Sequence, residues 1–209
     1  GAFIAALVAI EVGNLVAGKT SVDILVTPLV TITSGSVVGL VVGPPLSKLM
    51  TLLGKSINWG TEQQPIIMGI VVSVLMGMIL TLPISSAALG VILGLSGIAA
   101  GAATVGCCTQ MIGFAVASYR ENKLGGLIAQ GLGTSMLQVP NIMRRPLIWV
   151  PPTLASAILG PISSAVLKMT SNPTGSGMGT SGLVGQFMTY QTMTGEGVSS
   201  VVVLIEIFV

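Results

Sequence analysis

Long apolar runs separated by short polar breaks dominate the chain, for example over residues 66–82 and 87–103. A membrane β-barrel would instead alternate apolar and polar positions over strands of roughly ten residues. One helical crossing of the hydrocarbon core needs about 20 apolar residues, and these runs approach that length. The pattern therefore predicts an all-α fold, a polytopic transmembrane bundle of about eight apolar helical segments.

The polar breaks divide the chain into predicted segments. Membrane spans are expected over residues 1–17, 22–42, 65–82 and 146–167, and residues 46–57 suit an interfacial amphipathic helix. The second span is expected to close at Gly43-Pro44-Pro45. Residues 84–117 hold no charge over 34 positions, roughly 50 Å as one helix. Because that length exceeds one crossing, we expect two segments or a kinked pair, with the break in the polar string 104–110.

Residues 124–139 form a short segment that carries Gln130, Thr134 and Gln138. Basic residues flank it on both sides: Arg120 and Lys123 before it, Arg144 and Arg145 after it. Basic loops stay on the cytoplasmic side of a membrane, so a full crossing here would make both sides basic. We therefore predict a re-entrant or surface element, which gives the bundle broken helices. The orientation of the other segments stays open.

Composition agrees with a membrane protein, since 52% of the residues are hydrophobic, 7% are charged and the mean hydropathy is +0.96. Glycine, at 28 residues, lets membrane helices approach closely. The net charge of +2 does not favour a nucleic-acid surface. The adjacent Cys107 and Cys108 are interpreted as small buried side chains. With no histidine in the chain, the sequence predicts no catalytic group, metal site or cofactor.

Residues 83–89, Pro-Ile-Ser-Ser-Ala-Ala-Leu, recur as residues 161–167, Pro-Ile-Ser-Ser-Ala-Val-Leu. A Gly-x-Ser-Gly sequence follows each copy, at different spacings. Transporters commonly contain paired repeats with broken helices, and they bind substrate where the repeats meet. The recurrence of this sequence indicates either such a repeat, parallel or inverted, or a coincidence that arises from biased composition.

Residues 170–182 form a glycine-rich polar stretch, and no charge falls between Lys168 and Glu196. Exposed backbone at membrane depth is tolerated only when it is buried or lines a cavity. The hydroxyl, amide and backbone groups of this stretch suit a neutral polyhydroxy ligand or a phosphate. The alternative is a solvent loop between two helices. The predicted solute-binding residues here are Asn172, Thr174, Ser176, Thr180 and Ser181.

Two further polar stretches are candidates for ligand contacts. Glu62 and Gln63 follow Trp59, a combination that suits a sugar site. The alternative, which the sequence favours somewhat more, is a helix start at the membrane interface. Arg144 and Arg145 are predicted to hold anionic lipid head groups.

Four strings of residues together resemble the phosphotransferase-system EIIC family, whose members include proteins like the perfringolysin O regulator, PfoR. The strings are residues 61–69, 83–87, 94–103 and 172–185, the last being the most specific. The resemblance implies a multi-pass permease domain of the bacterial inner membrane, homodimeric, that binds a sugar within the membrane. A separate IIB partner, itself served by IIA, would then phosphorylate the sugar. On this basis residues 1–209 would be one domain, the C-terminal two thirds of a longer protein.

The chain departs from well-studied sugar EIIC domains, which present a Gly-Ile-Thr-Glu-Pro-like motif and often a nearby histidine. Gly60-Thr61-Glu62 is only a partial match, and histidine is absent. Two functions are therefore carried forward. The first is a permease that moves a small polar solute, a sugar, by alternating access. The second is a membrane sensor or regulator with an EIIC-like fold that does not transport and that binds lipid.

Overall fold

The computed structural model describes residues 2–19 and 22–208. Ten α-helices lie in these ranges: α1 Ala2–Val16, α2 Asp23–Gln63, α3 Pro65–Thr81, α4 Ser86–Leu93, α5 Gly97–Ala117, α6 Tyr119–Ile128, α7 Val139–Arg144, α8 Val150–Pro161, α9 Val184–Gly195 and α10 Ser200–Phe208. Short 3₁₀ turns occur at Ser135–Gln138, Pro146–Trp149, Gly175–Gly177 and Ser181–Leu183, and π-helical turns at Ala129–Gly133 and Ile162–Val166. No strand occurs in the described ranges, which confirms the predicted all-α class.

The chain divides into two compact units, residues 1–52 and 53–209. In the first unit, α1 packs against the first part of α2 through small side chains. A Cβ added at Gly35 would lie 3.1 Å from the Cβ of Ala9, and one added at Gly13 would collide with the Thr31 hydroxyl. Large apolar side chains such as Ile24 and Leu40 lie almost fully exposed, as expected of a surface that faces lipid.

The expected end of the second span at Gly43-Pro44-Pro45 is wrong, because α2 continues through these residues to Gln63. Residues 46–57 are therefore part of a long helix rather than a separate interfacial one. Proline removes one backbone hydrogen bond and crowds the preceding turn. Membrane helices tolerate that loss when neighbouring groups re-satisfy the freed carbonyls, so an apolar helix does not have to end there.

The centre of the second unit is formed by α3, α5 and α8, which pack against one another. Small residues bring the backbones close together. The Ser73 hydroxyl donates to the Ser156 carbonyl over 2.8 Å, and a Cβ at Gly77 would lie 2.6 Å from the Gly106 carbonyl oxygen. Gly106 in turn lies directly against the backbone of Ser73. Small residues therefore form the packing face between these helices.

Residues 84–117 form two segments, as predicted, but the break is not at 104–110. Helix α4 ends at Leu93, and the next residue, Gly94, has a φ of 63° in the left-handed region. Helix α5 begins after Ser96, which is extended. The polar string continues α5 because Thr104 and Thr109 donate to carbonyls four residues earlier, at 2.8 and 2.7 Å. Backbone conformation at glycine, rather than side-chain polarity, decides where this helix is interrupted.

Residues 124–139 do not form one continuous helix. Lys123 interrupts α6 with φ 52° and ψ −150°, and extended Thr134 separates the π turn from the 3₁₀ turn that precedes α7. The uninterrupted helical stretch is therefore too short to cross a hydrocarbon core. This is the geometry that a re-entrant or surface element requires, and its position in a membrane stays a prediction.

Three helical stretches within the described residues are long and apolar enough to span a membrane: Asp23–Gln63, Gly97–Ala117 and Pro146–Val166. The last of these matches the span predicted over residues 146–167. Helices Ile4–Val16 and Pro65–Thr81 are apolar but shorter.

Candidate solute-binding site

The polar stretch 170–182 is held in shape by its own side chains. The Asn172 Oδ1 atom accepts the backbone N–H of Gly175 at 2.9 Å, and the Ser176 hydroxyl donates to the Pro173 carbonyl at 2.8 Å. These bonds close a tight turn that runs into the 3₁₀ turn Gly175–Gly177. Local side-chain bonds of this kind compete with helix formation, which explains why the chain leaves the helical conformation here.

The same stretch lies against α4 and α5 rather than projecting from the protein. The Ser86 hydroxyl donates to the Gly177 carbonyl at 2.6 Å, and Ser176 and Gly177 are buried. A Cβ at Gly177 would overlap the backbone of Ser86, and one at Gly90 would lie 2.8 Å from the Pro173 carbonyl oxygen. Glycines therefore permit an irregular backbone to enter the helical unit.

The interruption after α4 and the start of the polar stretch lie side by side. The Ser171 N–H donates to the Gly97 carbonyl at 3.2 Å, in an antiparallel bridge. From α2, the Asn58 side chain donates to the Gly94 carbonyl at 2.9 Å and accepts the Ser96 N–H at 3.3 Å. Two breaks that are far apart in sequence thus form one polar region.

The five predicted residues of this stretch differ in exposure and partners. Thr174 is exposed, Asn172 and Ser181 are half-buried, and Ser176 and Thr180 are buried. Ser176 and Thr180 donate within the protein, Thr180 to the Gly131 carbonyl. The alternative of a freely projecting solvent loop does not describe this segment. Its role in binding solute stays a prediction.

A cavity of about 150 Å³ lies beside the segment, at the N-terminus of α4, and is called the α4 cavity below. Ser85 caps that helix by accepting the Ala88 N–H at 3.2 Å. Of the predicted residues, Ser181 lines the cavity. The lining residues are Leu80, Ile84, Ser85, Ser86, Ala87, Met111, Gly133, Thr134, Met136, Gly177, Met178 and Ser181.

Glu62 and Gln63 lie exposed at the end of α2, and no hydrogen bond within the described residues joins them to the polar stretch. Asn58, one turn earlier, is the α2 residue that reaches the polar region. Arg144 and Arg145 are exposed at the end of α7, which leaves both guanidinium groups accessible to a head group.

A second, larger cavity of about 390 Å³ was not anticipated as a site from the sequence. It is called the amide groove below and is lined by Asn122, Gly125, Gly126, Ala129, Gln130, Leu137, Gln138 and Asn141. In the sequence, the two glutamines indicate only that the segment does not make an ordinary membrane crossing. The spacing of Asn122, Gly126 and Gln130 at four-residue intervals was the available signal, since such positions share one helix face.

The two Pro-Ile-Ser-Ser-Ala copies adopt different local conformations. In the first, Ser85 is extended and caps α4, whereas in the second Ile162–Val166 continues α8 as a π turn. The Ser163 hydroxyl of the second copy is buried and has no hydrogen-bond partner among the described residues. The copies are therefore not locally equivalent, and a larger repeat stays a prediction.

The described residues contain no group of three or more histidine, cysteine, aspartate or glutamate side chains placed to hold a metal ion. Broken apolar helices around an uncharged polar segment define the class as an integral membrane protein. The sequence model of the family described as Phosphotransferase system, EIIC matches residues 1–209, and the chain belongs to that family. Comparisons of the chain with curated proteins and with solved structures found no match. Family membership makes the chain a membrane component of a phosphotransferase system.

Proposed function

We propose that the protein binds a small polar solute, a sugar, between its broken helices and moves it across the membrane by alternating access. The observation that carries the proposal is the burial of an uncharged, irregular polar segment, residues 170–182, within a unit of apolar helices. Irregular backbone occurs at membrane depth where it lines a cavity. Transporters place substrate sites at such interrupted helices.

The predicted residues would have different roles in solute binding, according to their positions. Ser181, with Ser85 and Thr134, would contact the solute directly, because they line the α4 cavity. Asn172 and Ser176 would hold the segment in shape through their bonds to Gly175 and Pro173. Thr174, Glu62 and Gln63 would meet solute only at exposed surfaces.

The α4 cavity must widen for this function, since about 150 Å³ is less than the roughly 300 Å³ of small ligand sites. Alternating access includes such a change, because the site opens to each side in turn. The bonds from Ser86 to Gly177 and from Ser171 to Gly97 join the elements that would separate.

The proposed membrane, oligomeric state and partner proteins are taken from the family. We propose a homodimer in the bacterial inner membrane, with a separate IIB partner that phosphorylates the sugar and is itself phosphorylated by IIA. Arg144 and Arg145 would bind anionic lipid head groups.

Counterflow of radiolabelled hexoses in proteoliposomes tests the proposal, because exchange needs neither IIB nor an energy source. Gly133 lines the α4 cavity, and a Cβ there meets no described atom within 4 Å. The variant Gly133→Leu should therefore fold and add bulk at the cavity lining. Gly195→Leu is the matched control, since Gly195 is equally open and lies outside this lining.

Counterflow by the wild-type protein and Gly195→Leu, with loss in Gly133→Leu, is the expected result. Equal counterflow in Gly133→Leu would show that solute does not pass the α4 cavity. No counterflow and no hexose binding by folded wild-type protein would overturn the proposal.

A sensor that does not transport is the second candidate. It is favoured by the absence of histidine and by the exposure of Glu62, which leaves no described carboxylate against the α4 cavity. This function would be selected by saturable hexose binding without counterflow. Counterflow should remain absent after purified IIB and phosphoenolpyruvate-driven phosphorylation are supplied.

A further inference from the structure

The amide groove contains an ordered chain of side-chain hydrogen bonds. Asn141 donates from Nδ2 to Gln138 Oε1 at 2.9 Å, and Gln138 donates from Nε2 to Gln130 Oε1 at 2.9 Å. Gln130 donates from Nε2 to the Ser118 hydroxyl at 2.8 Å, and Ser118 donates to the Ala115 carbonyl of α5 at 3.3 Å. This series of hydrogen bonds therefore runs from the exposed Asn141 to the central helix α5.

This arrangement fixes the side chains of Gln130 and Gln138 and leaves some of their hydrogen-bond donors unused. Gln130 and Gln138 are 3% and 6% exposed, so their positions are set by packing as well as by the chain. A carboxamide offers two N–H donors and two acceptor lone pairs. Each of the three amides in the chain keeps one free N–H. The exposed Asn122 side chain has no hydrogen bond within the described residues.

The lining of the groove leaves space for a ligand to come close to the backbone. Gln130 lies in the π turn Ala129–Gly133, and π turns within helices are frequent at functional sites. Gly125 lines the groove, and a Cβ there would meet no described atom within 4 Å. The volume of about 390 Å³ lies within the range of small-molecule sites.

The chemistry of the lining identifies the class of ligand. Among the residues that the structure describes, no charged side chain lines the groove. Arg120, Lys123, Arg144 and Arg145 are exposed and lie outside the lining. Carboxamides both donate and accept, as sugar hydroxyls do, whereas an anion would use donors alone. We propose that the amide groove is a binding site for a neutral polyhydroxylated solute, a hexose or hexitol, with Asn122, Gln130, Gln138 and Asn141 as its polar contacts.

The inference is independent of transport, because a sensor would use the groove equally well. The groove is also separate from the α4 cavity. Gly133, Thr134 and Met136 line the α4 cavity, whereas Gln130, Leu137 and Gln138 line the groove. The segment from Gln130 to Gln138 is therefore a wall common to both.

Two open glycines allow the cavities to be blocked one at a time. Gly125→Leu adds bulk at the groove lining, Gly133→Leu adds bulk at the α4 cavity lining, and Gly195→Leu is the control that belongs to neither lining. Asn141→Leu removes one groove contact at an exposed position, so folding should be unaffected. Thermal unfolding in detergent confirms that each variant is folded before binding is measured.

Binding is measured by saturation-transfer NMR and titration with D-glucose, D-mannose, D-mannitol and glucose 6-phosphate. We expect a neutral member of this panel to bind the wild-type protein, Gly133→Leu and Gly195→Leu. In the Gly133→Leu background, which removes the site proposed in the α4 cavity, adding Gly125→Leu should abolish binding, and adding Asn141→Leu should weaken it by about tenfold, the scale of one hydrogen bond.

Three results would overturn the proposal. Binding of glucose 6-phosphate alone would mean that the exposed basic residues outside the lining, rather than the amides, select the ligand. Binding that survives Gly125→Leu but not Gly133→Leu would assign the solute to the α4 cavity. Absence of binding by the folded wild-type protein would make the amide chain a structural brace only.

Discussion

The backbone N–H of Ser171 donates to the carbonyl oxygen of Gly97 across 3.2 Å, and this bond joins the two interruptions of the second unit. Gly97 can take part because its φ of 58° lies in the left-handed region. The adjacent Asn58 holds the same loop from α2. The polar interior is therefore assembled from breaks 74 positions apart, as counted from Gly97 to Ser171.

The first prediction concerns Gly97. The variant Gly97→Ala should lower the free energy of unfolding by about 1–2 kcal/mol, the cost of a left-handed conformation for a residue with a Cβ. No described atom lies within 4 Å of the added Cβ, so packing should contribute little. Chemical denaturation in detergent measures the change. Gly195→Ala is the control, because Gly195 has space and no positive φ; equal effects of the two variants would contradict the assignment of strain.

The second prediction concerns packing at Gly177. Gly177→Ala should destabilise the protein by roughly 1–3 kcal/mol, as overpacking does, because the new Cβ would overlap the backbone of Ser86. The midpoint of thermal unfolding should fall, while Gly195→Ala leaves it unchanged. An unchanged midpoint for Gly177→Ala would mean that the polar segment does not lie against α4.

The third prediction separates two roles of Asn172. Asn172→Ala should cost roughly 1–3 kcal/mol, because the Gly175 N–H loses its acceptor in a half-buried turn. Asn172→Ser should retain most of that stability. A serine hydroxyl accepts an N–H three residues onward in this same protein, where Ser85 caps Ala88 at 3.2 Å. If alanine and serine are equally damaging, the Asn172 side chain acts through something other than this turn.

The fourth prediction is that Asn122 and Asn141 lie on the same side of the membrane. Both are exposed and both line the amide groove. In a background with Cys107→Ala and Cys108→Ala, single cysteines at these two positions should react with an impermeant maleimide from the same side. Reaction from opposite sides would show that residues 124–139 cross the membrane after all.

The sequence was sufficient for the class of fold because apolar runs of this length leave few alternatives in lipid. It also indicated that residues 170–182 are unusual, since hydroxyls without charge fit neither lipid nor an ordinary aqueous loop. The position of the break in residues 84–117 was missed. Threonine hydroxyls can be satisfied by their own helix, as at Thr104, whereas the left-handed conformation of Gly94 cannot be inferred from its identity alone.

The amide groove was missed for a different reason. Its side chains come from both sides of the extended residue Thr134, so they share a cavity only because the chain turns back there. Helical periodicity relates Gly126 to Gln130 but not Gln130 to Asn141. Glu62 shows the converse error: its neighbours suggested a sugar site, but the side chain that reaches the polar region is Asn58.

The close backbone contacts at Gly106 and Gly177 have a consequence at the level of the gene. Glycine codons begin with GG, and every single-nucleotide missense change in them encodes alanine, valine, serine, cysteine, tryptophan, arginine, aspartate or glutamate, all of which carry a Cβ. At Gly106 that atom would overlap the backbone of Ser73, and at Gly177 the backbone of Ser86. These codons therefore have no conservative single-base neighbour, and purifying selection should act on each of them more strongly than on the codon of Gly195.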